Sequence, residues 1–293
     1  MVPTLTASAV HLAGDLWRAR ESAHRARADS LTAQHRARAA RGEPHPVEDF
    51  LFTYYSYKPA LLRRWHPGLG VELQDAGGVR GKWRWYAPGS APGSLIVDGA
   101  AFAREKGGLL QTVVRMLRAT VSRPARFGCF GLHEWAMVYR QGEHRHPVPL
   151  RLGQDGTNAV VEAHELRCTH YDAFRFFTPE AAPRNDVRLS RATQPAREQP
   201  GCLHAGMDVY RWAVKLGPLV PGELLLDAFE LAREIRTLDM AGSPYDLRSW
   251  GLDPVRIETA AGKAEYVRRQ RAFAQDANAL RERMLDALAG LAV

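Results

Sequence analysis

The chain has few cysteines, no long apolar run and no metal-protease or zinc-finger spacing, and each shortage removes a class of protein. Cys129, Cys168 and Cys202 are an odd set without a C-x-x-C pair. That excludes a disulfide framework and a cysteine-only zinc or iron–sulfur site, and it suits a reducing compartment. No apolar stretch approaches the roughly 20 residues of a spanning helix, and the first residues lack a Lys/Arg-led leader with a continuous apolar core. The expectation is a cytoplasmic protein without membrane association. H-E-x-x-H and H-x-E…C-x-x-C are both absent, which argues against a metalloprotease and a zinc deaminase. No internal repeat is evident.

What remains is an ordinary globular composition, 45% apolar and 25% charged over 293 residues, with a net charge of +8. Excess positive charge favours a polyanionic partner such as nucleic acid. Arginines 18, 20, 25, 27, 36, 38 and 41 crowd a helix-forming stretch from Ala9 to Arg41. They make either a phosphate-binding arm or a solvated face. Residues 1–43 are therefore read as a basic helical extension and 44–293 as one domain.

The expected class is α+β, mainly helical with a small antiparallel component. Pro46 can open a helix through Tyr55, and alternation from Gly70 to Ala87 around Gly77-Gly78 predicts a hairpin. Asp98 can cap a helix through Thr120, slackened at Gly107-Gly108. Short strands are expected at Val148–Leu152 and Ala159–His164, and a long loop from Arg188 to Cys202. Helices then fill Ala205–Leu216, Glu223–Met240 and Ala260 to the end, with a short piece near Pro244–Trp250.

The chemistry concentrates between Phe127 and Asp246. His133-Glu134, His164, His170 with Asp172, and His204 with Asp208 lie within one segment of a chain that has eleven histidines. Such a group supplies acid/base chemistry or binds a divalent metal, for which His133, His164, His170 and His204 are the candidate ligands. Aromatic residues interleave with arginines: Tyr54, Tyr55, Trp135, Tyr139, Phe174 and Phe176 with Arg140, Arg167 and Arg175. Rings beside guanidinium groups can stack an extruded base, or can be core. Thr169 to Phe177 is too apolar for a surface loop, so Asp172 should be paired, with Arg175 or a histidine, in a pocket walled by His133, Trp135, His170 and Phe176. Leu216 to Gly222 is a Pro-Gly break between two helices, with Asp239 seventeen residues beyond it. That is the order of a helix–hairpin–helix DNA glycosylase without its second hairpin glycine, or an ordinary helix–helix turn.

Five stretches, His45–Tyr55, Gly131–Tyr139, Leu166–Phe177, Glu198–Ala205 and Asp239–Leu247, together resemble a bacterial family labelled 3-methyladenine DNA glycosylase. The resemblance covers nearly the whole chain. It implies hydrolysis of the N-glycosidic bond to a cationic alkylated purine, with DNA as partner and no cofactor. A carboxylate would stand beside the developing oxocarbenium and its water, in the order Asp172, Asp239, Glu134, with His133 and His170 as acid/base groups. Trp135, Tyr139 and Phe176 would stack the base, and Tyr54, Tyr55, Arg175, His204 and Asp246 would complete its binding site. Two alternatives are a metal- or haem-dependent small-molecule enzyme on the same pocket, and a non-catalytic nucleic-acid-binding protein.

Overall fold

A computed structural model describes residues 9–142 and 148–291. Strand β1 (Val10–Leu12) leads into α1 (Gly14–Arg41), an unbroken 28-residue helix. It ends at Gly42, whose φ of 68° lies in the left-handed region that glycine enters without penalty. Helix α1 packs on α3 (Pro59–Leu62) and on the later α10 (Gly222–Ala241), burying Trp17, His24, Ala28 and Thr32. Six of the seven arginines singled out above pair with carboxylates of the chain itself. Arg20 meets Glu223, Arg25 meets Glu21, and Arg27 meets Asp227 and Glu230. Arg36 meets Asp29, Arg38 meets Glu48 and Asp49, and Arg41 meets Glu43. Arg18 alone has no carboxylate partner among the described residues, so this helix offers a polyanion less unbalanced charge than its composition suggests.

The helix expected from Pro46 begins later, as α2 (Phe50–Tyr54). Strands β2 (Val71–Leu73), β3 (Tyr86–Pro88) and β4 (Leu95–Val97) join β1 in a mixed sheet of order β1-β2-β4-β3, with β1 and β2 parallel. The expected hairpin about Gly77-Gly78 does not form. Arg80, 6% exposed, lies against the rings of Trp17, Trp65, Trp83 and Tyr86 and ion-pairs with Glu21 at 2.6 Å, so the alternating aromatics surround a cation instead of pairing strands.

Helix α4 (Gly99–Val121) starts as anticipated: the Asp98 carboxylate accepts from the Ala101 amide at 2.8 Å, and the helix kinks at Lys106, beside the two glycines. Helix α5 (Leu132–Ala136) follows. The two strands expected between Val148 and His164 are corrected. Leu150 makes only an isolated bridge to Tyr245, and Gly153–Glu162 is helix α6. Its buried positions, Thr157, Val160 and Val161, fall at helical spacing, which a short apolar run does not reveal. Helix α7 (Tyr171–Phe174) precedes the long loop expected from Arg188 to Cys202, and the single turn α8 (Gln194–Arg197) lies within it.

Helices α9 (Leu203–Leu216), α10 and α11 (Ala260–Ala287) pack mutually, and α4 lies against α11 and α9. Their apolar stripes, including Met207, Tyr210, Phe229, Ala232, Ile235, Ala277 and Met284, form the main core. The Pro-Gly break is a 3-10 turn followed by α10. At about 1.5 Å per residue, Asp239 stands roughly 25 Å along α10 from Gly222, so the turn and that carboxylate do not share one site.

Candidate functional site

Three helices bring the charges together. On α10, which packs on α9, Phe229, Ala232, Arg236 and Asp239 recur at helical spacing, and the last two reach Glu134 and His133 of α5, so one apolar stripe ends in an arginine and an aspartate. Asp239 is fully buried. His133 of α5 sets Nε2 2.9 Å from Asp239 Oδ1, and Arg236 Nη1 donates to Asp239 Oδ2 at 3.0 Å and to Glu134 Oε1 at 3.2 Å. The first turn of α9 adds His204, its ring 4.5 Å from that of His133 and 5.4 Å from that of His170.

Electrostatics divide these imidazoles. Burial opposes a charge on His133, but Asp239, and then Cys129, hold its pKa well above the ordinary value. Asp239 is correspondingly acidic: burial works against its charge, and His133 overrides it. His204 is pushed well below the ordinary value by burial and by the neighbouring His133, so it stays neutral, and its Nδ1 is buried without a hydrogen-bond partner.

A second network adjoins the first. His170 Nε2 lies 3.3 Å from both Asp208 and Glu198, Tyr55 donates to Asp208 at 3.1 Å, and Gln194 donates to Glu198. Burial raises the pKa of Glu198. Arg211 links Asp208, at 3.2 Å, with Asp172, at 2.8 Å, and Arg191 donates to Asp172 at 2.9 Å. The expected pairing of Asp172 is therefore present but differently shared: Arg175 stands at 3.5 Å, and Arg191 and Arg211, absent from the sequence reading, make the hydrogen bonds. Burial would raise the Asp172 pKa, and the hydrogen bond from Arg211 lowers it instead.

Beside these networks opens a cleft of about 260 Å³. Phe50, Tyr54, Met137, Phe176 and Tyr245 supply apolar and aromatic walls, and Glu134, Asp172, His204 and Arg236 supply the polar groups. Of the residues anticipated from sequence, Tyr54, Glu134, Asp172, Phe176 and His204 line it. Arg175 lies alongside, over the Phe176 ring. His133, His170, Asp239 and Tyr55 are behind the wall.

Trp135 and Tyr139 do not reach the cleft. Trp135 faces inward from α5, which is buried throughout, and donates to the Gly242 carbonyl, and Tyr139, three residues beyond that helix and also buried, donates to Glu162. Asp246 is taken up by Arg248 on another surface. His164 Nδ1 donates to the Val160 carbonyl at the end of α6, away from the other histidines. Phe50, Arg236 and Tyr245 were missed. For Arg236 the signal was present, an arginine on the apolar stripe of α10, three residues before Asp239.

His133, Glu134, His204 and Asp239 place one potential ligand atom each within 4.8 Å of the others, as do His170, Glu198 and Asp208. The first group is the better fit, since His204 Nδ1 has no other partner. Yet Arg236 already sits between its two carboxylates, so the charge a divalent ion would neutralise is balanced by a guanidinium. Comparison with protein-family models, curated proteins and solved structures finds no match to this chain.

Proposed function

We propose that the protein is a DNA N-glycosylase that hydrolyses the bond between deoxyribose and an alkylated, cationic purine. The observation that carries this reading is the cleft: one aromatic-walled space, smaller than the roughly 300 Å³ at which drug-sized sites begin, with two carboxylates against one guanidinium at its polar end. Such a space suits a single extruded base, and its aromatic walls favour a cation. Phe50, Tyr54, Phe176 and Tyr245 would hold the base. Glu134, whose carboxylate accepts from Arg236 alone among the described residues, would orient the attacking water and face the developing oxocarbenium. Asp172, already held by three arginines, would position Arg175 and Arg191 for the flanking phosphates.

The test is base release from DNA carrying N-methylpurines, read by chromatography under single-turnover conditions. Wild-type protein should release base, and Glu134→Gln should lose about a hundredfold or more while still binding DNA. No release by a molar excess of wild-type protein would end the proposal. A metal-dependent small-molecule enzyme is the second reading, favoured by the His133, Glu134, His204 and Asp239 group. About one equivalent of tightly bound metal in purified protein would decide for it.

A further inference from the structure

A second cleft, of about 390 Å³, opens on the other side of His133, and nothing in the proposed glycosylase chemistry uses it. Cys129 and Cys168 line it. Arg123, Arg126, Arg167 and Arg197 surround it, against Asp186 as the one acid of the lining. Arg126 and Arg197 are exposed and have no ion-pair partner among the described residues. Cys129 is half-buried, whereas Cys168 is enclosed.

Cys129 Sγ lies 3.4 Å from His133 Nδ1, and the far nitrogen of that ring is 2.9 Å from Asp239, which Arg236 holds at 3.0 Å. A neutral His133 donating Nε2–H to Asp239 presents Nδ1 to the thiol proton, and the charged ring that results, the form Asp239 favours, stays paired with the thiolate sulfur. This is the order of an activated nucleophile, its base and the group that orients the base. The backbone turns sharply just after the cysteine: Phe130 has φ 48° and Gly131 φ 75°, and a Cβ on Gly131 would come within 3.0 Å of the Tyr266 hydroxyl. Strain of this kind is retained where surrounding structure fixes a group for use.

We infer that Cys129 is a thiol nucleophile served by His133 and Asp239, and that the basic cleft beside it takes a negatively charged carbon electrophile bearing a displaceable group. The thiol proton passes to His133 Nδ1, and the thiolate forms the S–C bond. The carbon–leaving-group bond breaks with its electron pair on the leaving group, which takes the proton from His133 where it needs one.

Iodoacetate, an anion, and iodoacetamide, its neutral counterpart, test this on the full chain, with labelled cysteines mapped by mass spectrometry and glutathione as reference. Cys129 should react about tenfold faster than glutathione at pH 7, as a thiol with a base within reach does. Its iodoacetate-to-iodoacetamide rate ratio should exceed that of glutathione and fall with added salt. Asp239→Asn should slow both reagents. Arg126→Ser with Arg197→Ser, both exposed and remote from the core, should lower the iodoacetate rate alone. Reaction of Cys129 no faster than glutathione, or a rate ratio equal to that of glutathione and unmoved by the arginine substitutions, would overturn the inference.

Discussion

Asp239→Asn gives the sharpest test of how the buried charges are balanced. The substitution keeps side-chain size and removes the carboxylate that faces His133 at 2.9 Å and Arg236 at 3.0 Å. The raised pKa of His133 means that the pair contributes fully below the unfolded imidazole value of about 6.5, and that this contribution is lost as pH rises through the folded value. The lowered pKa of Asp239 means that it is present above the unfolded carboxyl value of about 3.9 and lost as pH falls through the folded value. Between about pH 4 and 6.5 the wild-type pair is therefore complete, and breaking it should cost about 3–5 kcal/mol. At alkaline pH, with His133 neutral, the loss should shrink to the part due to the Arg236 ion pair. In the variant His133 is buried without its carboxylate, so folding releases a proton. The difference between the two proteins should then grow by up to about 1.4 kcal/mol per pH unit as pH falls below about 6.5. Urea unfolding of both proteins at pH 5, 6, 7.5 and 9 measures this. Parallel stability curves would refute the reasoning and assign the loss to packing.

Arg236→Met should destabilise by about 3 kcal/mol or more, read by thermal denaturation, because Glu134 and Asp239 lose their shared cation inside the protein. Gly131→Ala should cost about 1–3 kcal/mol, since alanine disfavours φ 75° and its Cβ would crowd Tyr266. Asp172→Asn should lower the melting temperature, and should reduce base release chiefly through weaker DNA binding, measured by separating the two in single-turnover kinetics. Elemental analysis should find less than about a tenth of an equivalent of divalent metal, because Arg236 already occupies the charge between the carboxylates.

The long elements were legible because their signals are local. The cap at Asp98, the end of the first helix at Arg41, the break from Leu216 to Gly222, and the apolar stripes of α9, α10 and α11 depend on residues within a few turns of one another. The strands were not, because each is three residues long and exists by pairing with a distant partner, as β1 does with β2. The site followed the same division. Glu134, Asp172 and His204 stood out as ionisable groups in apolar surroundings, and they do meet. Which of them face the cleft was not legible, since that depends on which side of a short helix such as α5 turns inward. Arg191 and Arg211 were hidden because their use comes from meeting Asp172 across 19 and 39 residues of chain.

The ion pairs between α1 and α10 join positions about 200 residues apart. At about 5–20 residues per second, a ribosome finishes α1 some 10–40 seconds before Asp227 and Glu230 exist. Through that interval Arg20 and Arg27 have no carboxylate partner from α10, and Ala28 lacks the core that the later helices build. Arginines distributed around the whole cylinder keep such a waiting segment dispersed in water, and they repel a second copy of itself. The same residues later become a clasp between α1 and α10, so each of these ion pairs forms only once the intervening chain has been made.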